Sequence, residues 1–374
     1  MLVGVLAGVS IFFFVLLIYP YIIYPVFLRF FPVRPVEHRA VRKRVSLLFC
    51  AYNEGASLPA KLHNLRLLKA RHPDLEILAF DDGSSDETAR LLAAASDILT
   101  FVPGSGRSGK ASGMKHLASL AAGEILIFTD ANVILAEDAV DRLLPYYSDN
   151  KVGGVCGTLC YADEEGSATA EVGSLYWRLD EKLRTLESQT GNVMGADGSL
   201  FSIRNALYPA FPDSVLDDFT VSMSVIFAGY RLIKAPDVLA FENSVAERSD
   251  ELRRKIRIGA RSYHTHLHLR SQLRTMRPID RFKYGSRKLL RWFGGANLVL
   301  AVVFALAAIA AYSLVWAAVG TAAAAAILFA LTRTSHRLFA KLGDVLLAIF
   351  ATQLGIFKGM RGETVTTWSP AKSR

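Results

Sequence analysis

Two long stretches of the chain carry no charged side chain. The first covers residues 2–28 and the second covers residues 293–332. A helix needs about 20 apolar residues to cross the hydrocarbon core of a bilayer, and both stretches are longer. The first predicts a transmembrane anchor within residues 1–32. The second is long enough for two tightly joined spans, and we expect their turn near residues 312–320.

A further apolar segment, residues 342–357, contains one charged residue, Asp344. Two interpretations are open: a third span, or a helix in the membrane interface with the basic Lys358 and Arg361 among the headgroups. Basic segments tend to stay on the cytosolic side of a membrane, and the last residues of this sequence are basic. The pattern therefore favours an interfacial helix, within a region of interfacial and transmembrane helices at residues 276–374.

Basic residues flank the apolar stretches. They follow the first stretch and precede the second, at Arg29, Arg34, Arg39, Arg42, Lys43, Arg44, Arg281, Lys283, Arg287, Lys288 and Arg291. Such clusters mark the cytosolic side and attract anionic headgroups. The first stretch lacks the basic start and the cleavage site of a signal peptide, so we expect a retained anchor with its N-terminus outside. These patterns predict a multi-pass protein of a bacterial-type inner membrane, with its central region in the cytosol.

The region between the membrane segments alternates between strand-like and helix-like patterns. Short apolar runs predict strands at residues 45–50, 75–80, 98–102 and 124–129. Leucines recur at helical spacing after the first strand, and Ser84-x-x-Glu87 has the form of a capping box that opens a helix over residues 88–95. This order predicts an α/β domain with a mostly parallel sheet, over residues 40–275. Ligands bind such sheets at the carboxyl ends of the strands, where the acidic residues fall.

The overall composition excludes two classes of protein. Hydrophobic residues make up 52% and charged residues 21% of the 374 positions. This is too apolar for a disordered chain or an ordinary soluble enzyme. The net charge is +9, and because the basic residues cluster beside the apolar stretches we expect a membrane partner and no nucleic acid. Three cysteines make neither a disulfide framework nor a metal quartet.

Two short motifs are typical of metal and phosphate sites. Asp130-Ala-Asn132 places two oxygen donors on one side of an extended segment, which suits Mg²⁺ or Mn²⁺, although Asp130 could instead cap the following helix. Gly104-Ser-Gly-Arg-Ser-Gly-Lys110 has the spacing of a P-loop. The next residue, Ala111, lacks the hydroxyl that binds Mg²⁺ in such loops. The loop therefore indicates contact with a nucleotide diphosphate more than an NTPase.

Five motifs in succession resemble those of family 2 glycosyltransferases. They are Cys50-Ala-Tyr-Asn-Glu54, Asp81-Asp-Gly-Ser-Ser-Asp86, Arg107-Ser-Gly-Lys110, Thr129-Asp-Ala-Asn132 and Leu216-Asp-Asp-Phe219. The similarity is greatest to the membrane-bound, cellulose-synthase-like branch, and it covers about residues 45–265. It implies a GT-A fold, which is a Rossmann-like nucleotide-diphospho-sugar transferase domain. It also implies sugar transfer from a nucleotide diphosphate, usually UDP, with inversion.

The resemblance assigns roles to residues on the donor side. Those that would contact the uracil, the ribose or the phosphates are Tyr52, Glu54, Asp81, Asp82 and Lys110. The divalent cation, Mg²⁺ or Mn²⁺, would be held by Asp130 and Asn132. The family's D-x-D motif is D-x-N here, so one metal ligand is neutral and we expect weaker metal binding.

On the acceptor side, the resemblance implies that Asp218 is the base that takes the proton from the acceptor hydroxyl. The family's E-D pair is Asp217-Asp218 here, so Asp217 is the alternative base and otherwise an acceptor contact. A helix N-terminus, where Asp is favoured, is the structural alternative for this pair. Asp197 and Gly198 would belong to the acceptor-side loop.

Arg254 and Arg257 lie where processive relatives carry the motif Q-x-x-R-W, and Ile258 replaces the Trp. The two arginines are three residues apart and share a helical face, which suits a clamp on the diphosphate. A basic helix on the membrane surface is the alternative.

Together these features predict a membrane-anchored inverting glycosyltransferase. It would move a sugar from a nucleotide diphosphate sugar, expected to be a UDP-sugar, to a membrane-associated glycan or lipid in polysaccharide or glycolipid biosynthesis. A polyprenyl-phosphate sugar transferase is the alternative within the same chemistry. A P-loop-type membrane NTPase and a non-catalytic scaffold are the alternatives from other classes.

Overall fold

The computed structural model describes residues 1–161, 168–243, 248–333 and 337–363. Within these residues the strands form one eight-stranded sheet in the order β3-β2-β1-β4-β7-β6-β8-β5. In chain order they are β1 Val45–Ala51, β2 Glu76–Asp81, β3 Thr100–Pro103, β4 Ile125–Thr129, β5 Ile134–Leu135, β6 Val152–Tyr161, β7 Leu200–Arg204 and β8 Arg231–Glu242. The predicted strands are confirmed to within two residues at each end.

The helices cover both faces of this sheet and extend beyond it. They are α1 Leu2–Ile18, α2 Ile23–Leu28, α3 Leu58–Arg71, α4 Thr88–Ala94, α5 Lys110–Leu120, α6 Ala139–Leu143, α7 Ala168–Gln189, α8 Asp217–Phe227, α9 Arg248–His268, α10 Arg270–Thr275, α11 Pro278–Tyr284, α12 Leu290–Trp292, α13 Gly294–Tyr312, α14 Leu314–Arg333 and α15 Arg337–Met360. A π-helical segment, Gly285–Leu289, joins α11 to α12.

The predicted parallel sheet is confirmed for the first four strands. β1 pairs in parallel with β2 and β4, and β2 pairs in parallel with β3. The other half is mixed, because β7 runs antiparallel to both β4 and β6. The carboxyl ends of β1, β2 and β4 therefore meet at one edge of the sheet, which is where ligands bind in such folds.

Alternate residues of β1 enter two different cores. Leu47 and Phe49 join the cluster that contains the leucines of α3, whereas Leu48 and Cys50 join the cluster that contains Met114 of α5. Side chains of a strand alternate between its two faces, and both faces of β1 are covered by helices. This is why β1 is buried along its whole length and is apolar in nearly every position.

The predicted capping box at Ser84 is wrong. α4 begins at Thr88, and the Thr88 amide donates to Oδ1 of Asp86 at 3.0 Å. Ser84 instead donates its hydroxyl to Asp81 at the end of β2. The turn after β2 brings Ser84 close to the carboxylate of Asp81. Asp86 is therefore the residue whose side chain accepts a backbone amide at the start of α4.

Among the described residues, two helical segments are long and apolar enough to cross a membrane by length and composition. They are Gly294–Tyr312 and Leu342–Met360, while the apolar segments Leu2–Ile18 and Leu314–Ala326 are shorter. α13 and α14 follow each other with only Ser313 between them. The turn that we predicted near residues 312–320 is therefore present. α1 packs along α13, and its Ser10 hydroxyl donates to the carbonyl of Ala301 at 2.7 Å.

The segment for which the sequence favoured an interfacial position is part of α15. Its length would also allow a span, but its last turns pack closely on α9. A Cβ at Gly355 would lie 2.9 Å from Cα of Gly259, and one at Gly359 would lie 2.7 Å from the carbonyl oxygen of Ala260. α9 is rich in arginine, so it belongs outside the hydrocarbon core. The interfacial position of α15 stays our prediction.

Candidate active site

The loops that follow β1 and β2 are tied together by hydrogen bonds. Asn53 adopts a left-handed conformation with φ 51°. Its side-chain oxygen accepts the Ser85 amide at 2.8 Å, and its own amide donates to the Ser84 hydroxyl at 2.9 Å. The Glu54 amide donates to the Thr88 hydroxyl at 2.8 Å. The two predicted donor-side motifs therefore form one rigid unit.

The carboxylates of this unit are buried. Glu54 is 8% exposed and Asp81 is 5% exposed. Each accepts a hydrogen bond from a nearby serine hydroxyl, Ser57 for Glu54 and Ser84 for Asp81. The structure thus places both predicted nucleotide-binding residues at the carboxyl ends of neighbouring strands, with their carboxylates fixed by local hydrogen bonds.

Asp82 organises the glycine-rich loop. It is fully buried, and its Oδ1 accepts the amides of Ser108 at 2.7 Å and Gly109 at 2.9 Å. In a P-loop such amides point at phosphate, but here they bind a carboxylate of the protein, so the NTPase interpretation has no support from the loop. Arg107 lies 3.3 Å from Oδ2 of Asp82 and 3.3 Å from the ring centroid of Tyr52. Asp82 therefore also positions Tyr52 through this arginine.

Lys110, Asp130, Gly198 and Asp218 converge on one point, the centre of the candidate site. Lys110 Nζ lies 2.5 Å from Oδ1 of Asp130. A Cβ at Gly198 would lie 2.9 Å from Lys110 Nζ and 3.6 Å from an oxygen of each of Asp130 and Asp218. Only glycine leaves this space open. Residues from four separate motifs thus meet around the space beside Gly198.

The surroundings of this centre shift the pKa values of both Lys110 and Asp218. Burial would lower the pKa of Lys110, but Asp130, Asp217 and Asp218 raise it above its ordinary value, so the amine stays charged. Burial, together with the neighbouring Asp217, raises the pKa of Asp218 to about 6 despite the nearby Lys110. Asp218 is therefore ionised at neutral pH and close to the pKa that suits a general base.

The pair Asp217-Asp218 begins α8. Asp217 is buried at 7% exposure, whereas Asp218 is partly exposed and its Oδ1 accepts the Phe219 amide at 2.7 Å. The residue before the pair is held by α9, because the Leu216 amide donates to the Thr265 hydroxyl at 2.9 Å. The helix N-terminus that we had named as the alternative is thus present. Asp218 is the more accessible of the two carboxylates, and its role as the base stays a prediction.

Asp197 lies in the predicted acceptor-side loop and is held by the protein itself. Its Oδ2 accepts from Arg184 at 2.7 Å and its Oδ1 accepts the Ser199 amide at 3.1 Å. Burial would raise the pKa of Asp197, but Arg184 and the hydrogen bonds from Ser199 hold it below its ordinary value. Asp197 therefore fixes the loop that presents Gly198 to the centre.

The two predicted clamp arginines lie on α9, in the part of the helix that the structure describes. Arg254 lies 3.6 Å from Glu251. Burial would lower the pKa of Arg254, but Glu251, Glu242 and also Asp130 raise it. Arg257 is partly buried and lies almost one turn further along the helix. The charge of Arg254 therefore interacts with Asp130 at the centre.

The matching motifs are now placed around one centre, and comparison with known proteins gives the family. Residues 46–209 match the family model described as Glycosyl transferase family 2. The chain carries a family 2 glycosyltransferase domain.

Two curated proteins are similar to parts of this chain. The beta-monoglucosyldiacylglycerol synthase of Trichormus variabilis is 32% identical over 116 residues, which are 30% of this chain and 25% of the relative. The poly-beta-1,6-N-acetyl-D-glucosamine synthase of Staphylococcus aureus is 26% identical over 206 residues, which are 51% of this chain and 48% of the relative. The chain thus spans about half or less of the length of these curated relatives.

A solved structure extends the likeness to almost the whole chain. It is a mannosyltransferase from Pyrobaculum calidifontis in complex with GDP-Man and Mn²⁺, with a TM-score of 0.73 and 22% identity. The match covers 96% of this chain and 99% of the mannosyltransferase. At this identity the likeness shows the fold. The predicted α/β GT-A fold is thereby confirmed.

A buried ionic cluster connects the glycosyltransferase domain to the helical segment that precedes α13. Asp180 of α7 lies 2.7 Å from Arg287 and 2.8 Å from Arg291, and it also accepts from Arg184 at 3.0 Å. Arg287 further contacts Glu187. Arg184 continues the cluster to the acceptor-side loop. The network therefore joins α7, that loop and the segment that leads into α13.

We had assigned Arg287 and Arg291 to lipid headgroups, and this prediction is wrong. Arg287 is 2% exposed, because acidic residues on α7 compensate its charge inside the protein. The sequence did contain a signal for this cluster. Asp180, Arg184 and Glu187 recur at spacings of four and three, which places them on one face of α7.

The residues around Asp130 fit a hard divalent cation. Asp130 is partly exposed, and the space beside its Oδ2 is kept open by Gly198. Asn132 donates its side-chain amide to Glu242 at 2.8 Å. In the described parts of the chain, no group of three or more His, Cys, Asp or Glu residues surrounds one point. A cation here would therefore complete its coordination with amide oxygen, water and donor phosphates, as Mg²⁺ commonly does.

Proposed function

We propose that this protein is an inverting glycosyltransferase that moves a sugar from a nucleotide diphosphate sugar, with UDP as the nucleotide, to a membrane-associated glycan or lipid. The observation that carries the proposal is the convergence of Lys110, Asp130 and Asp218 on the space left open by Gly198. A candidate base, the charged amine of Lys110 and a candidate metal ligand thus meet at one point, which suits a single displacement.

In the proposed step, an oxygen of the acceptor attacks C1 of the donor sugar from the face opposite the leaving group. The bond between C1 and the β-phosphate oxygen breaks, and the nucleotide diphosphate leaves with the electron pair. The proton of the acceptor hydroxyl passes to Asp218, whose pKa of about 6 suits this role. A single displacement inverts the configuration at C1.

The donor would bind along the ends of β1, β2 and β4. Tyr52, Glu54 and Asp82 would lie around the base and the ribose, with Asp81 beside them. Lys110, Arg254 and Arg257 would face the phosphates. Asp130 and Asn132 would hold Mg²⁺ or Mn²⁺. A bound cation would neutralise charge on the leaving diphosphate. The likeness to a structure solved with GDP-Man and Mn²⁺ supports this arrangement.

The acceptor would reach the site from the membrane. α13 is long and apolar enough to cross the bilayer, and the cluster around Asp180 connects the segment before it to the acceptor-side loop. The relatives are named as synthases of a glucosyldiacylglycerol and of a polysaccharide, and we propose a lipid or a glycan as the acceptor of this protein. A multi-pass inner-membrane protein with a cytosolic catalytic domain over residues 40–275 fits this route.

The proposal is tested by a screen of UDP- and GDP-sugars with the purified full-length protein. Diacylglycerol, polyprenyl phosphate and short glycans serve as acceptors in separate reactions. Release of a nucleoside diphosphate that depends on both sugar and acceptor is the expected result. Release of inorganic phosphate from ATP would identify an NTPase. If neither product forms with any donor, the proposal of sugar transfer fails.

Removal of the cation should stop the reaction. We expect EDTA to abolish transfer, because the leaving diphosphate lacks a neutralising charge without the cation. Added Mn²⁺ or Mg²⁺ should restore transfer. Asp130→Ala should also abolish transfer, whereas Asn132→Ala should only weaken it. Transfer rates over a series of cation concentrations check this prediction. Full activity in EDTA would contradict the metal role.

A further inference from the structure

The amide of Asn132 is paired with a carboxylate from a distant part of the chain. Asn132 Nδ2 lies 2.8 Å from Oε1 of Glu242, the last residue of β8. Strand pairing brings this part of the chain close to Asn132, since β5 pairs antiparallel with β8 and aligns Ile134 with Phe241. Continued by one residue, this register places Glu242 opposite Val133, the residue next to Asn132.

This pairing bears on the charge of the cation site. The motif Asp130-Ala-Asn132 offers a single carboxylate, and hard cations such as Mg²⁺ and Mn²⁺ are held best by carboxylate oxygens. Glu242 is 7% exposed, so its position is set by the fold and not by solvent. Because the nitrogen of the Asn132 amide points to Glu242, the oxygen of that amide is directed away from it.

We propose that Glu242 supplies the second negative charge of the cation site by holding the nitrogen of the Asn132 amide, in place of the carboxylate that position 132 lacks. The inference rests on the proposed function, since it assigns a residue to the same site. Glu242 also interacts with Arg254 of α9, since Glu242 and Asp130 both raise the pKa of that arginine. One buried carboxylate would thus position the amide ligand, the cation and a proposed phosphate-binding arginine.

The test measures Mn²⁺ affinity directly, by electron paramagnetic resonance of free Mn²⁺ titrated into the purified full-length protein. We expect Glu242→Gln to weaken Mn²⁺ binding by about 10- to 100-fold, the effect typical of lost groups around a metal. The matched control is Glu251→Gln, which removes another carboxylate beside Arg254 without touching the Asn132 pair. It should leave the Mn²⁺ affinity unchanged.

A charge exchange separates a metal role from a structural role. Asn132→Asp alone places two carboxylates next to each other, so the melting temperature in EDTA should fall and should recover when Mn²⁺ is added. The double variant Asn132→Asp with Glu242→Gln exchanges the amide and the carboxylate. We expect it to regain Mn²⁺ affinity close to that of the wild type.

Wild-type Mn²⁺ affinity in Glu242→Gln would overturn the inference, whatever happens to activity. A lower melting temperature with unchanged affinity would show that Glu242 only holds β5 and β8 together. These outcomes are distinct from failure of the proposed function. If the wild type binds Mn²⁺ but releases no nucleoside diphosphate, sugar transfer fails as a proposal while the assignment of Glu242 is still decided by the titration.

Discussion

Replacement of Asp218 by asparagine should reduce turnover by about 10²-fold or more, the contribution typical of a general base. The asparagine keeps the shape of the side chain and its hydrogen bond from the Phe219 amide, but it cannot take the acceptor's proton. Donor affinity should stay unchanged, because the role of Asp218 is on the acceptor side. Steady-state rates with nucleotide binding measured in parallel check both statements.

The pH dependence of the wild type gives an independent check of the same role. The pKa of Asp218 is raised to about 6, so the carboxylate is available as a base above this pH and becomes protonated below it. The rate should therefore fall as the pH drops through about 6, and the asparagine variant should lack this limb.

The control is Asp217→Asn. Asp217 is buried and lies beside Asp218, so its loss should lower the pKa of Asp218 and move the pH limb down, with a smaller effect on the rate at neutral pH. If Asp217→Asn instead abolishes turnover and Asp218→Asn does not, the base is Asp217.

Asp180→Asn should lower the free energy of unfolding by about 3–5 kcal/mol, the cost typical of breaking a buried ion pair. Three arginines approach this carboxylate within 3.0 Å or less. Burial would raise the pKa of Asp180, but Arg287, Arg291 and Arg184 hold it well below its ordinary value. Without the carboxylate, their charges remain buried with less compensation. Unfolding by denaturant in detergent measures the change.

Asp74→Asn is the matched control for this variant. Asp74 pairs with Arg42 at 2.9 Å, but both side chains are more than 80% exposed. Such surface pairs contribute less than about 1 kcal/mol. Equal stability of the Asp180 and Asp74 variants would mean that the buried cluster does not hold the acceptor-side loop to the segment that precedes α13.

The strands and the donor-side residues could be predicted from the sequence because both depend on local patterns. Short apolar runs located β1 to β4, and the parallel arrangement followed from their alternation with helices. Since parallel strands end at the same edge, Glu54, Asp81 and Asp130 had to lie near one another. The candidate base Asp218 followed from the motif resemblance, and its position beside Lys110 agrees with it.

Contacts between distant parts of the chain could not be predicted in this way. Arg287 looked like a headgroup ligand, because nothing near it in sequence shows that α7 places Asp180 and Glu187 against it. Asn132 looked like a weakened metal ligand, because its partner Glu242 is 110 residues away and is reached only through the register of β5 and β8. Ser84 failed as a cap for a similar reason, since the turn after β2 directs it to Asp81.

The central claim is a single displacement at C1 with Asp218 as the base, and the anomeric configuration of the product tests it most directly. The measurement is nuclear magnetic resonance of the sugar transferred from the donor that is active in the screen. An α-linked nucleotide sugar should give a β-linked product throughout the time course. An α-linked product would contradict the claim, because retention requires a mechanism that a single base does not provide.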